Sequence, residues 1–74
     1  MNQHISYKID SQRFIKADLM GLYKDCEDTG TRIEAAQIDD CTVLLDVYHS
    51  FRDRGGVTNM LEESLGKLRE VRNE

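Results

Sequence analysis

The sequence lacks the features that would point to a membrane or to secretion. No apolar run approaches the roughly 18 residues that a membrane-spanning helix needs. The first ten residues, MNQHISYKID, contain no basic stretch followed by an apolar stretch, so we expect no signal peptide. We therefore expect a cytoplasmic protein with no membrane partner. There are only two cysteines, Cys26 and Cys41, and in the cytoplasm both should be reduced.

Positive charge is scarce as well. Lys and Arg together number 10 against 14 for Asp and Glu, which gives a net charge of -4 and a sequence pI near 5.1. A non-specific nucleic-acid binder needs a broad positive surface, so the charge balance of this small acidic protein makes that class less favoured. The balance still allows a DNA reader whose few basic groups are concentrated in one place.

The usual signatures of catalysis are missing. There is no glycine-rich phosphate loop, no pair of cysteines two residues apart and no pair of histidines at helical spacing. Cys26, Cys41 and His49 could surround a zinc ion, but no tight spacing supports that site. We therefore predict a non-enzymatic protein with no catalytic residues, no metal and no cofactor.

One group of titratable residues has two interpretations. Asp46, His49 and Asp53 are separated by three and four residues, which would place them on one face of a helix. An acid–base function would use His49 oriented by Asp46. The simpler interpretation is a surface ion pair. Asp46 interrupts an apolar stretch, so it lies either at a wet edge or in the interior with a partner such as Arg13 or Lys16.

The chain is short enough to form a single domain over residues 1–74. For a chain of this length, the free energy gained by burying apolar surface nearly cancels the cost of ordering the residues. A lone copy should therefore be only marginally stable. We expect it to associate with another chain, either as a homodimer or with a different protein.

The first ten residues have the pattern of an extended arm. Ile5, Tyr7 and Ile9 alternate with Ser6 and Lys8, which is the period of a β-strand. The sequence shows no obvious partner strand for this segment. Residues 1–10 are therefore either a loose arm or a strand that pairs with a second copy.

The remaining residues, 11–74, favour helices. Apolar residues recur at three- and four-residue spacing over residues 11–28, with Asp10 or Ser11 able to cap the start and Gly30 suited to follow the end. Residues 31–54 begin with a capping box, Thr31 to Glu34, and are apolar on nearly all sides around residues 43–48. Residues 31–38 are either part of this second helix or a separate helical turn before it.

Residues 57–73 predict a third helix, with a possible capping box from Asn59 to Glu62 and an apolar stripe over Leu61, Leu65, Leu68 and Val71. Short connections make consecutive helices antiparallel neighbours. The predicted fold class is therefore all-α, a three-helix antiparallel bundle with a short extended N-terminal arm. The bundle either closes as a monomer or dimerises across its middle helix, and the energy balance favours the dimer.

The first functional hypothesis is a non-enzymatic helical regulator or inhibitor that acts by protein–protein binding, as small proteins of phage-like mobile elements do. It would dock an apolar and acidic helix face on its partner. The acidic cluster at residues 25–28 would either contribute to that face or simply be solvated. The predicted partner-binding residues are Asp39, Asp40, Asp46, Val47, Phe51, Leu61, Leu65 and Leu68.

The second hypothesis is a dimeric DNA-binding transcriptional regulator. Residues 4–54, a short alternating strand followed by two helical segments, resemble the ribbon-helix-helix repressors. The resemblance implies that the strand pairs with its twin and lies in the major groove. It implies that His4, Ser6 and Lys8 read bases, while Ile5, Tyr7 and Ile9 face the dimer core. Phosphate contacts would come from Arg13, Lys16 and Arg32.

Overall fold

The computed structural model describes residues 3–71, which form a mixed α/β domain with a four-stranded antiparallel sheet. The predicted all-α three-helix bundle is therefore wrong. The elements in chain order are β1 (Gln3–Asp10), α1 (Ser11–Lys16), α2 (Leu19–Thr29), β2 (Arg32–Asp39), β3 (Thr42–His49), α3 (Arg54–Leu65) and β4 (Arg69–Val71).

The strands lie in the order β2-β3-β1-β4, and every neighbouring pair is antiparallel. If α1 and α2 are counted as one helical segment, the elements follow the β-α-β-β-α-β order of the split β-α-β, or ferredoxin-like, arrangement. The first strand, β1, is a central strand. It pairs with β3 along its whole length, and Ser6, Tyr7 and Lys8 also pair with β4.

The alternation of inward and outward side chains predicted for β1 is confirmed. Ile5, Tyr7 and Ile9 are buried, and Ser6 and Lys8 point to the opposite side of the sheet. The segment is not a loose arm, because both of its edges are hydrogen-bonded to strands of the same chain.

The predicted helix over residues 31–54 is wrong. These residues form a hairpin in which β2 and β3 are joined through Asp40 and Cys41. The burial of β3 alternates at every residue, with Val43, Leu45 and Val47 inside. Leu44 lies on the other side of the same strand, which is why the segment looked apolar on all sides of a helix.

The other two predicted helices are shorter than expected. The first is broken at Ala17 and Asp18, and Asp18 caps α2 by accepting a hydrogen bond from the backbone N–H of Gly21 at 3.0 Å. The third begins at Arg54 rather than residue 57 and ends at Leu65, so the predicted capping box at Asn59 does not start it.

The helices cover one face of the sheet and leave the other open. The core contains the inward side chains of the two central strands together with one face each of α2 and α3. Its members are Ile5, Tyr7, Ile9, Leu22, Cys26, Val43, Leu45, Val47, Val57, Leu61 and Leu65. We call the uncovered side, which carries His4, Ser6, Lys8, Leu44, Asp46 and Tyr48, the open face.

Two contacts fix α1 against the rest of the chain. The backbone N–H of Ser11 donates to the carbonyl of Cys41 at 2.8 Å, which ties the start of α1 to the β2–β3 turn. Arg13 Nη2 donates to the carbonyls of Leu65 and Lys67 at 2.9 and 2.7 Å. Because the last carbonyls of a helix have no partner within it, Arg13 acts as a side-chain cap for the end of α3.

The two neighbouring leucines of β3 test this fold directly. We expect Leu45→Ala to lower the free energy of unfolding by about 2–5 kcal/mol, because Leu45 is fully buried and the change leaves a cavity. Leu44→Ala, on the open face, should cost about 1 kcal/mol or less. Denaturant unfolding followed by circular dichroism measures both values, and equal losses would contradict the assigned register of β3.

Candidate functional site

A serine, a histidine and an aspartate meet on the open face. Ser6 Oγ donates to Asp46 Oδ1 at 2.7 Å, and His4 Nε2 lies 2.9 Å from the same oxygen. Strand pairing causes this meeting, because Ser6 is directly opposite Asp46 on β3 and His4 is two residues away on the same face. The hydrogen bonds from Ser6 and then from His4 hold the pKa of Asp46 below its usual value.

This group is not arranged for nucleophilic catalysis. In a catalytic triad the serine donates to one ring nitrogen of the histidine, and the acid holds the other nitrogen. Here Ser6 donates to the acid itself, and its oxygen lies 3.4 Å from the same Nε2 that contacts Asp46. The histidine therefore does not stand between acid and serine. The arrangement is a cross-strand hydrogen-bond network that orders the open face.

An aromatic row crosses the open face beside this network. The Tyr48 ring stacks on His4 with a centroid distance of 4.8 Å, and the Arg32 guanidinium carbon lies 4.6 Å from the Tyr48 centroid. Arg32 and His4 are the register partners of Tyr48 on its two sides. The ring is therefore already engaged on both sides, by a cation and by an imidazole.

The predicted acid–base group over residues 46–53 does not exist, because the helix on which it depended is absent. Asp46 lies on the open face, where its partners are Ser6 and His4 rather than Arg13 or Lys16. His49 is buried in the core, where its Nδ1 accepts from the backbone N–H of Phe51 at 3.1 Å. Asp53 caps α3 by accepting from the backbone N–H of Gly56.

The predicted partner-binding residues do not form one surface. Val47, Leu61 and Leu65 are core residues with at most 3% of their surface exposed. Phe51 and Leu68 are partly buried against that core. Of the three acids, Asp39 and Asp40 lie at the exposed β2–β3 turn and Asp46 lies on the open face.

The three predicted base-reading residues do share one exposed side of β1. His4, Ser6 and Lys8 point to the open face, opposite the buried Ile5, Tyr7 and Ile9. The two-stranded ribbon that the resemblance implied is not formed. The backbone of β1 is paired with β3 along its whole length on one side, and β4 pairs with Ser6, Tyr7 and Lys8 in the middle of the other side, so a twin strand cannot pair along it.

The first exposed feature that sequence reasoning missed is the free edge of β2. Within residues 3–71, β2 pairs only with β3, so one side of its eight-residue backbone has no partner strand. Natural edge strands are usually protected by charged side chains, proline, short length or a bulge. Arg32–Asp39 is eight residues long and contains no proline; its charged residues are Arg32, Glu34 and Asp39, and its one irregularity is a register shift between Gln37 and Asp39. We call this backbone the β2 edge.

Helix α2 carries two exposed apolar side chains on the flank that faces away from α3. Thr29 Oγ1 lies 3.4 Å from Met60 Sδ of α3, and Asp25 lines the cleft between the two helices, so that side of α2 faces α3. Met20 and Tyr23 lie roughly 140–160° around α2 from Asp25. Because α3 contacts β1 and β4, Tyr23 on this opposite flank lies toward the β2 side of the sheet, whereas Met20 lies nearly opposite the buried Leu22 and points away from the sheet. Met20 and Tyr23 are 85% and 52% exposed.

The second missed feature is a cleft of about 530 Å³ that is lined by cations. It lies where β1 leads into α1, between the β2–β3 turn and the start of β4. Four basic side chains line it, together with Ile9, Asp10, Cys41, Thr42 and Leu68. We call it the basic cleft, and its four basic residues are Lys8, Arg13, Lys67 and Arg69.

The cysteines do not form a disulfide or a metal site. Both are free thiols, Cys26 buried and Cys41 exposed, and burial raises the pKa of the Cys26 thiol. No group of three or more His, Cys, Asp or Glu side chains within residues 3–71 is placed to hold a metal ion. None of the helices in that range is both long and apolar enough to cross a membrane.

Comparisons with known proteins place this chain in no family. No family model, no curated protein and no solved structure matches it. Any functional assignment therefore depends on the β2 edge, the open face and the basic cleft.

The buried histidine gives a prediction about acid stability. Burial, and then the charge of Arg54, lower the pKa of His49 below 6.5 in the folded chain. The unfolded chain then binds the proton more readily, so the contribution of His49 to stability is full above about pH 6.5. It is lost as the pH falls through the lowered folded pKa.

We expect His49→Asn, whose amide oxygen can replace Nδ1 as acceptor, to remove most of this loss between pH 7 and pH 5. His4→Asn, which removes the exposed histidine instead, should keep it. The measurement is the free energy of unfolding by urea at several pH values. A His49→Asn protein with the wild-type pH slope would show that His49 is not the group responsible.

Proposed function

We propose that this protein is a non-enzymatic binding module that takes up an extended segment of another protein along the β2 edge. Such a protein is still the protein–protein binder that the sequence suggests, but its binding surface is a strand edge instead of a helix face. The observation that carries it is the length and exposure of β2. Seven of its eight side chains are exposed, and Ile33 is half-buried.

An added strand would gain two kinds of interaction at this edge. Its backbone would pair with the free N–H and C=O groups of β2, as in other cases of strand addition. Its side chains on the helix side of the sheet would meet Ala35 and the exposed ring of Tyr23. A partner with apolar residues at alternate positions fits that side, because alternate side chains of a strand share a face.

Charge selects the kind of partner. Acidic side chains outnumber basic ones along β2, the β2–β3 turn and the last turns of α2. The exposed acids there are Glu27, Glu34, Asp39 and Asp40, against the two cations Lys24 and Arg32. Arg32 already lies 3.4 Å from Glu34. The partner segment is therefore basic as well as apolar.

A displayed library of random peptides would test this function without assuming a partner. We expect the enriched sequences to be net positive with apolar residues at every second position. Amide chemical shifts in 15N-labelled protein should change along β2 when such a peptide binds. Ala35→Lys, which places a charge beside the incoming strand, should weaken binding by about tenfold or more.

Asn59→Lys is the matched control, because it adds the same charge at an exposed position on α3. It should change the peptide Kd by less than about twofold. Three results would contradict the proposal. They are shift changes confined to the basic cleft, an unchanged Kd in Ala35→Lys, and dimerisation through β2 that excludes the peptide. The last result would mean that a second copy covers the edge.

A further inference from the structure

The basic cleft is a separate surface from the β2 edge. It lies at the end of the sheet where β1 leads into α1, between the β2–β3 turn and the start of β4. We propose that it is a binding site for a small ligand that bears phosphate. Four of the ten Lys and Arg residues of an acidic chain surround this one cleft. They come from four different parts of the chain, namely β1, α1, the α3–β4 loop and β4.

Two of these cations face each other across a strand pair. Lys8 on β1 and Arg69 on β4 are register partners, so their side chains leave the sheet on the same side. Like charges directly opposite in a sheet repel and lower stability. The fold keeps this unfavourable pair at the cleft, which is what a site for an anion requires.

The acids near the cleft accept backbone hydrogen bonds and form no ion pair with its cations within residues 3–71. Asp10 lines the cleft, but its Oδ1 accepts from the backbone N–H groups of Gln12 and Arg13 at the start of α1. Asp39 is close enough to feel the charge of Lys8, yet its Oδ1 accepts from the backbone N–H of Cys41 at 2.8 Å. The ion pairs described within residues 3–71 involve none of the four cleft cations.

Arg13 is held in place before any ligand arrives. Its Nη2 is fixed by the carbonyl of Leu65, at the end of α3, and by that of Lys67 in the loop that follows, so the three N–H groups on Nε and Nη1 remain for other partners. Gly66 makes this position possible. Its backbone has a φ of +76°, and a Cβ there would lie 2.6 Å from Arg13 Nη2. A guanidinium held in this way loses little freedom when it binds an oxyanion.

The geometry favours phosphate over a single carboxylate. A carboxylate presents two oxygens in one plane and one negative charge. A phosphate monoester or diphosphate presents oxygens in several directions and up to two or three charges. Cations that approach from four separate segments suit the second kind of acceptor. A volume of about 530 Å³ also lies within the range of small-molecule sites.

Thermal unfolding with inorganic phosphate, pyrophosphate and a nucleoside diphosphate tests this site at physiological salt. We expect pyrophosphate to raise Tm in a concentration-dependent way, because a ligand that binds only the folded state stabilises it. A larger effect of the nucleoside diphosphate would show that the phosphate belongs to a nucleotide. Isothermal titration gives the Kd of each ligand.

Lys8→Gln and Arg69→Gln should weaken pyrophosphate binding by about tenfold or more each. Without ligand their Tm should equal or exceed that of the wild type, because the repulsion between residues 8 and 69 is relieved. A purely structural function of these residues would instead lower Tm. Lys24→Gln, an equal charge loss at an exposed position on α2, should leave the Kd within about twofold.

Three outcomes would overturn the proposal. Pyrophosphate that leaves Tm unchanged at millimolar concentration would show that the cleft is not a phosphate site. An equal loss of binding in Lys24→Gln would show only general charge attraction. Tight binding of a single-stranded DNA oligonucleotide with no response to pyrophosphate would assign the cleft to nucleic acid. None of these outcomes depends on whether a peptide binds the β2 edge.

Discussion

The pairing of β1 with β3 is the interaction on which the other elements depend. Eight residues of each strand pair in register, from Gln3 with His49 to Asp10 with Thr42. This pairing puts two sets of inward apolar side chains next to each other and gives α2 and α3 a surface to cover. It joins residues about 40 positions apart, so the chain must close a long loop before the core can form. Sheet and core therefore form together or not at all.

The same pairing determines what each edge of the sheet can do. With β1 and β3 in the centre, β2 and β4 become the edges, and the two edges differ in charge. β2 lies in acidic surroundings, whereas β4, described over Arg69–Val71, adjoins the basic cleft. The net charge of -4 conceals this separation, because it averages an acidic side and a basic side.

Local signals in the sequence predicted local features well. Asp10 caps α1, as its side chain allows, and Gly30 adopts a left-handed φ of 67° after α2. The alternation over residues 5–9 predicted which side chains of β1 point outward. Each of these features depends on a few adjacent residues, so the pattern and the structure have the same physical cause.

The hairpin could not be predicted in the same way. The β2 sequence, RIEAAQID, contains Glu, Ala and Gln, which favour helices, and its turn at Asp40 and Cys41 lacks the glycine that marks many hairpins. β2 nevertheless forms a strand because it pairs with β3, which is itself held in the sheet by β1. This sheet environment overrides the helix preference of the β2 residues. The sequence of β3 does contain a strand signal, because the apolar inward positions 43, 45 and 47 alternate with outward positions that include Asp46.

The basic cleft could not be predicted from the sequence for a different reason. Its four cations stand at positions 8, 13, 67 and 69, and only the pairing of β1 with β4 brings the two ends of the chain together. Arg13 shows how closely this cleft is tied to the fold. One nitrogen of its guanidinium closes the end of α3, so the charge that the cleft offers is held by a contact that the helix itself needs. Replacing Arg13 would therefore disturb fold and cleft together, whereas Lys8 and Arg69 make no such contact within residues 3–71, so replacing them separates binding from stability.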